Sequence, residues 1–66
     1  MIKVENFLKI RKAKGLRQKD VANVLGITRN AYGKKETKVN AFTTEEIYKL
    51  AKFYEISMEE LAFEEM

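Results

Sequence analysis

The spacing of apolar side chains along the chain predicts helices and no β-sheet. Apolar residues recur three and four positions apart, which is the repeat of an amphipathic helix, and no segment shows the sustained alternation that marks a strand. The clearest stripe lies in the second half of the chain and consists of Ile47, Leu50, Ala51 and Tyr54. The pattern predicts five helices: three at about residues 3–14, 17–25 and 29–36, then, after a loop at 37–42, a fourth beyond Thr43 and a last one beyond Ser57.

Polar residues mark where the last two helices start. Thr43 and Ser57 are each followed three positions later by a glutamate, Glu46 and Glu60. This is the signature of a capping box, in which the hydroxyl and the carboxylate each accept a hydrogen bond from the other residue's backbone N–H. Gly15 is the expected stop of the first helix. The residues expected to face the core are apolar and fit the helical spacing or the turns: Val4, Phe7, Ile10, Leu16, Val21, Ala22, Leu25, Ile27, Met58 and Leu61.

The break between the second and third helices has the features of a tight turn. Gly26 can adopt the positive φ that a sharp helix end requires, and Thr28 is a good N-cap for the next helix. Ile27, between them, is expected to point inward. The third helix carries side chains suited to nucleic acids: Arg29, Asn30, Lys34 and Lys35. A helix, a short turn with glycine and a second helix of this composition form the helix-turn-helix plan.

Length and composition restrict the chemistry that the chain can perform. With 66 residues it forms one small domain, 1–66, which buries only about 60% of its unfolded surface. It contains no cysteine and no histidine, so disulfides, soft zinc ligands and the commonest general base are excluded. No apolar run approaches a membrane span and nothing resembles a signal peptide. We expect a soluble cytoplasmic protein that uses no cofactor or metal, is not an enzyme and takes no small-molecule substrate.

Charge is distributed unevenly along the chain. Residues 1–44 hold eleven basic and three acidic side chains, a net charge of +8, whereas residues 45–66 hold two basic and seven acidic ones, a net charge of −5. Taken alone, this distribution has two equally good explanations. The charged faces either keep a small domain soluble or direct its basic half toward a polyanion. Together with a helix-turn-helix pattern, the basic half favours binding to nucleic acid.

Two segments of the sequence resemble the lambda-repressor/Cro type of helix-turn-helix domain, the XRE-like family. They are GLRQKDVANVLGITRNAYGKKE and EEIYKLAKFYEISMEEL, and the resemblance covers about residues 7–61. Its features are Gly-Leu-x-Gln before the second helix, Ala22, Leu-Gly-Ile-Thr at the turn and Lys-x-Glu at the end of the third helix. Tyr32 with the following Lys34-Lys35-Glu36 is also similar to small repressors of phages and prophages in Gram-positive bacteria. The resemblance implies a compact all-α domain of five helices and a transcriptional regulator that sits on operator DNA as a dimer.

The resemblance places the base-reading residues at the exposed start of the third helix. Arg29 can donate two hydrogen bonds to a guanine, and Asn30 can pair in the same bidentate way with an adenine. A phosphate contact is an equal alternative for Arg29. Lys34 lies one turn beyond Asn30 on the same face and is the third candidate. Tyr32 is expected to pack in the core on Ala22 rather than stack on a base.

A second set of residues is expected to contact DNA phosphates. In the family, the glutamine that Gln18 matches meets a phosphate at the start of the second helix, although an exposed helix-forming role is the alternative. The resemblance implies that Glu36 pairs with Arg11. This pairing could hold the Arg11 side chain in position for a phosphate contact. Lys35 is expected to face the DNA backbone or solvent, and a solvated loop is the alternative for Lys38 and Asn40. The complete set of phosphate candidates is Arg11, Arg17, Gln18, Thr28, Lys35, Lys38 and Asn40.

Four residues depart from the family pattern. Arg17 stands where the family usually has a capping Thr or Ser, so the second helix loses a cap and gains a charge that could reach phosphate. Gly33 lies inside the third helix and costs about 1 kcal/mol relative to alanine. It either allows close approach of the backbone to DNA or is simply tolerated. Lys38 and Glu55 replace the Gly or Asn common after a helix, so the usual signals for the ends of the third and fourth helices are absent.

The sequence leaves two function classes open. The first is a sequence-specific repressor or Cro-like regulator that binds double-stranded operator DNA, an inverted repeat, as a dimer. The second is a protein-interaction module, antirepressor-like or antitoxin-like, whose acidic tail with Phe63 and Met66 binds a protein. Self-association would use a small patch, either the last helix with Phe63 or the loop around Phe42. We expect a weak homodimer or one that forms only on DNA, because a standard interface needs about 800 Å² per partner.

Overall fold

The computed structural model describes all residues, 1–66, and contains five helices and no strand. They are α1 (Glu5–Ala13), α2 (Gln18–Leu25), α3 (Arg29–Glu36), α4 (Thr44–Tyr54) and α5 (Met58–Ala62). The prediction of an all-α domain with five helices is confirmed. The main difference in extent is at α1, which begins at Glu5 and ends at Ala13 instead of covering 3–14. No helix of the fold is long and apolar enough to cross a bilayer.

The two capping boxes read from the sequence are present. The backbone N–H of Glu46 donates to Oγ1 of Thr43 at 3.1 Å, and that of Thr43 donates to Oε1 of Glu46 at 2.9 Å. Ser57 and Glu60 exchange the equivalent bonds at 3.0 and 3.2 Å. The exact starts of α4 and α5 therefore follow from local sequence signals.

The start of α2 has only one of the two bonds of a capping box. Oδ2 of Asp20 accepts from the backbone N–H of Arg17 at 2.8 Å. The guanidinium of Arg17 has no acceptor atom, so it cannot receive the N–H of the first turn in return. This agrees with the expectation that Arg17 deprives α2 of a good cap, and it shows that Asp20 supplies part of what is lost.

The core consists of thirteen buried apolar residues from α1 to α5 and from the loop before α4. Phe42 connects α1 and α3 within this core, because its ring stacks on Phe7 with centroids 4.0 Å apart and meets the edge of Tyr32 at 6.0 Å. The suggestion that the loop around Phe42 forms a self-association patch is wrong for that ring, which is only 6% exposed. Phe63, the other suggested contact, is 50% exposed.

The inner face of α1 is more polar than the apolar stripe predicted. Besides Phe7 and Ile10 it buries Asn6 and Arg11. The side-chain amide of Asn6 donates to the backbone carbonyls of Leu61 at 3.0 Å and of Glu64 at 2.7 Å. Asn6 thus satisfies carbonyl groups that the end of α5 leaves free, and joins the first helix to the last.

Two of the helix ends require a left-handed backbone conformation from residues other than glycine. Gly26 has φ +71 and ends α2, as the sequence predicts. Lys38 has φ +68 and Glu55, which caps α4, has φ +59. A side chain in this region costs about 1–2 kcal/mol, because its Cβ approaches the following carbonyl oxygen. The chain therefore makes the same turns without the glycine or asparagine that would relieve the strain.

Candidate nucleic-acid interface

The turn between α2 and α3 is built by three successive residues. Gly26 reverses the chain, and the backbone N–H of Ile27 donates to the carbonyl of Ala22 at 3.0 Å, which closes the end of α2. Oγ1 of Thr28 then accepts from the N–H of Ala31 at 3.1 Å and starts α3. Both the glycine turn and the Thr28 cap are confirmed.

Three side chains predicted to read bases lie exposed on α3. Arg29 and Asn30 are in contact, since Nη2 of Arg29 donates to Oδ1 of Asn30 at 3.4 Å. Lys34 is exposed one turn further along. Helical geometry places Asn30 and Lys34 on one face. Tyr32 is the buried residue of this helix, which confirms that it belongs to the core.

A buried ion pair holds the end of α3 against α1. Nε and Nη2 of Arg11 donate to the two carboxylate oxygens of Glu36 at 2.8 and 3.1 Å, and Nη1 donates to the carbonyl of Leu16 at 2.9 Å. The side chains of Arg11 and Glu36 are only 9% and 4% exposed. The pairing expected from the resemblance is confirmed. Three of the five N–H groups of Arg11 bond within the protein, which leaves two for another acceptor. A phosphate contact by Arg11 stays a prediction.

The charge states of this pair are mutually stabilised. Burial raises the pKa of Glu36, but hydrogen bonds from Arg11 and Gln18 outweigh burial and leave the pKa of this carboxyl below its ordinary value. The hydrogen bond to Glu36 raises the pKa of Arg11. Close by, the hydroxyl of Tyr54 is buried without a hydrogen-bond partner among the protein's own groups, and burial raises its pKa to about 12. Burial and the neighbouring Glu36 carboxylate raise the pKa of Tyr32.

Gln18 lies along α3 instead of projecting freely. Its Nε2 donates to Oε1 of Glu36 at 3.1 Å, and its Oε1 accepts from Nη1 of Arg29 at 3.4 Å. The amide passes beside Gly33, where an added Cβ would be in ordinary van der Waals contact with it. A phosphate contact by Gln18 stays a prediction, and the alternative of an exposed residue with a purely helix-forming role is wrong, because the side chain is partly buried and bonded at both ends.

Lys35 differs from its predicted surroundings. Its ammonium lies 3.0 Å from Oε1 of Glu46 and donates to the carbonyl of Ala41 at 3.0 Å. Only 13% of its side chain is exposed. The expectation of a charge facing solvent or the DNA backbone is therefore corrected: in the free protein Lys35 ties α3 to the start of α4.

The remaining phosphate candidates lie at the surface on both sides of the turn. Arg17 is 71% exposed and makes only a long contact of 3.4 Å with Asp20. Lys38 and Asn40 are exposed in the loop after α3, where the backbone N–H of Asn40 donates to the carbonyl of Lys34 at 3.1 Å. Their side chains can meet a polyanion, and their role as phosphate ligands stays a prediction.

Sequence reasoning missed the contacts that position these side chains. The bond between Gln18 and Glu36, the space at Gly33 and the tie from Lys35 to Glu46 all join residues more than ten positions apart. No local pattern reports such contacts. The one available signal was compositional: a glycine inside a helix usually has a packing reason.

Comparison with protein families identifies the fold independently of these contacts. The helix-turn-helix family model HTH_3, of the XRE and lambda-repressor-like class, matches residues 7–61. That range contains the helix-turn-helix and the described interface from Arg11 to Asn40. Comparison with curated proteins and with solved structures gives no match. The chain therefore belongs to the HTH_3 family of DNA-binding helix-turn-helix regulators.

Proposed function

We propose that this regulator is a repressor or Cro-like protein that reads operator DNA by inserting α3 into the major groove. The observation that carries the proposal is the exposed face of α3, on which the side chains of Arg29 and Asn30, at the start of the helix, and of Lys34, one turn further along, are all exposed. In helix-turn-helix proteins, it is the start of the second helix that contacts base edges.

The side chains suggest what is read. Arg29 and Lys34 suit guanine, which offers acceptors at O6 and N7, and Asn30 suits adenine, which offers one acceptor and one donor. The exposed phosphate candidates, Arg17, Thr28, Lys38 and Asn40, would fix the position of α3 in the groove without reading sequence. About five to eight phosphate contacts by cations would make the affinity fall steeply with salt.

We further propose that two copies bind an inverted repeat. A single α3 reads only a few base pairs, whereas two copies with centres about 34 Å apart read two half-sites on one side of the duplex. The exposed ring of Phe63 on the segment after α5 supports a small contact between copies, as a weak homodimer or one that forms only on DNA. The similarity to small phage and prophage repressors supports such an origin and action in the cytoplasm. Neither a cofactor nor enzymatic activity is part of this proposal.

Selection of bound DNA from a random pool tests the proposal directly. The expected result is a pseudo-palindromic site with a fixed half-site spacing. Asn30→Ala should then relax preference at one base position in each half-site, by about 1–3 kcal/mol. Lys34→Ala and Lys49→Ala form a matched pair, because both remove an exposed lysine but only Lys34 lies on α3. Recovery of no preferred sequence, or affinity that is insensitive to salt, would contradict a sequence-specific regulator.

A protein-interaction module, antirepressor-like or antitoxin-like, is the second candidate. It is favoured by the apolar side chains of Phe63 and Met66, which are 50% and 44% exposed among the acidic residues of the last segment. This candidate predicts that Phe63→Ser leaves DNA binding weak or absent, as in the parent, and abolishes binding to a protein. The random-pool selection separates the two candidates, since only the first yields a consensus.

A further inference from the structure

The side chain of Gln18 in α2 packs beside Gly33 in the middle of α3. A methyl group built on Gly33 would lie 3.4 Å from Oε1 of Gln18 and 3.8 Å from its Nε2. These are ordinary contact distances, so the Gln18 amide lies where a side chain larger than methyl would extend from position 33. Gly33 has no left-handed backbone conformation, and what the packing requires here is therefore a small residue.

The amide that rests on Gly33 connects the two ends of α3. Its nitrogen donates to Glu36, the last residue of the helix, at 3.1 Å, and its oxygen accepts from Arg29, the first, at 3.4 Å. Glu36 is itself fixed by the buried Arg11. The bond to Glu36 therefore fixes the position of the Gln18 amide. The amide in turn orients Arg29 through a longer and weaker bond.

We propose that residue 33 is a specificity-determining position that acts without touching the DNA: because Gly33 is small, the Gln18 amide can pack on it, and the amide directs the Arg29 guanidinium toward one base. The inference rests on the proposed function, since it assumes that Arg29 reads a base. Gly33 is in this sense a positioning residue, and Arg29 and Gln18 are the residues through which it acts.

The size of the replacement decides the effect. Alanine at position 33 would touch Gln18 at 3.4 Å and leave the amide in place. Valine adds two branch carbons whose directions in a helix are restricted almost to one rotamer, and these would displace the amide from the helix. Both residues favour a helix more than glycine does, so a loss of specificity in Gly33→Val could not be attributed to a weaker helix.

The first experiment measures base preference by random-pool selection and by competition binding. Gly33→Ala should keep the parent's preference at every position. Gly33→Val should reduce discrimination at the position assigned to Arg29 by about threefold to tenfold, a part of what a complete bidentate contact provides. In the background of Arg29→Ala, which removes that contact altogether, Gly33→Val should change the preference no further, because the two substitutions act through one interaction.

The second experiment needs no DNA. NMR of the free protein should show a contact between the Gln18 side-chain amide protons and the backbone at position 33 in the parent and in Gly33→Ala. That contact should disappear in Gly33→Val, while the helical signals of α3 remain.

The outcomes separate this inference from the proposed function. A parent that selects no consensus would overturn the proposed function and the inference with it. A parent with a consensus that Gly33→Val retains unchanged, or a Gln18 amide that stays in place beside valine, would overturn the inference alone. Loss of preference at a position other than that of Arg29 would also contradict it.

Discussion

The helices α3 and α4 follow one another in the chain but are held in place by different forces. The longer α4 is anchored by apolar burial and begins with a complete capping box. In contrast, α3 buries only Tyr32 and has a single capping bond, from Thr28. The buried residues of α4 are Ile47, Leu50, Ala51 and Tyr54.

The difference follows from what α3 exposes. A helix that keeps Arg29, Asn30 and Lys34 at the surface has little apolar area left to bury, and its stability must come from elsewhere. It comes from polar ties at its carboxyl end, where Glu36 bonds to α1 and α2 and Lys35 bonds to the start of α4. A reading helix can thus be fixed mainly from one end while the side chains at the other end stay exposed to a ligand.

The largest effect is expected from Glu36→Ala. It leaves the Arg11 guanidinium buried without its carboxylate, which costs about 3–5 kcal/mol, a large part of the stability of a domain of this size. Urea unfolding measures the loss. The double substitution Arg11→Met with Glu36→Met should recover most of it, because well-packed apolar side chains can replace a buried pair. If Glu36→Ala were as stable as the parent, polar ties would not be what holds α3.

Leu50→Ala tests the opposite side of the comparison. Leu50 is fully buried in α4, and its truncation is expected to cost about 2–5 kcal/mol by leaving a cavity. Hydrogen exchange should distinguish it from a milder weakening of α3 such as Lys35→Ala. Leu50→Ala should lower protection in all helices together, and Lys35→Ala mainly in α3. Equal and uniform losses in both variants would remove the distinction between the two helices.

Acid should weaken the polar ties before the apolar ones. The pKa of Glu36 is lowered from its ordinary value of 4.5 in spite of burial, by its bonds to Arg11 and Gln18, and the pKa of Glu46 is lowered by the Thr43 backbone N–H and Lys35. Groups with a lowered pKa stabilise the fold above the unfolded value and lose that contribution as pH falls through the folded value. The urea midpoint should be level from pH 7 to about 5 and fall below 4.5.

The variant Glu36→Gln serves as the control for this pH dependence. Glutamine has no carboxylate that takes up a proton at this site, so the midpoint of this variant should be lower at neutral pH and fall less steeply in acid. A curve parallel to that of the parent would show that Glu36 is not responsible.

The smallest effects are expected at the two threonine caps. Thr28→Ala and Thr43→Ala each remove one capping acceptor and should cost about 1 kcal/mol. The two variants should differ in DNA binding, because only Thr28 lies at the start of α3. Thr28→Ala should weaken affinity equally for all sequences and leave the preferred bases unchanged. DNA binding that depends on Thr43 more than on Thr28 would contradict the placement of the interface.

The fold was predictable from the sequence because the signals that start and end its helices involve residues close together in the chain. Thr28, Thr43 and Ser57 mark helix starts by bonds that span three residues, and Gly26 marks the end of α2. Asn6 was missed because a buried amide has the appearance of a surface residue until its partners in the last segment are known.

The candidate base-reading residues of the interface could be predicted from the sequence. The contacts that hold their side chains in position could not. Arg29 and Asn30 follow from their place after the turn, and the Arg11–Glu36 pair was expected only through the family resemblance. The contact of Gln18 with Gly33 depends on how α2 crosses α3, a relation between distant residues that no spacing rule contains.

The strained backbone at Lys38 and Glu55 has a consequence for engineering new binding specificities. Both residues could be exchanged for glycine, which would relieve their left-handed conformation, and Glu55 belongs to neither the helix-turn-helix nor its supporting bonds. Substitution of the side chains that read bases often lowers the stability of a fold. The stability gained by Glu55→Gly can offset such losses. This variant is therefore a suitable starting background for changing the DNA specificity.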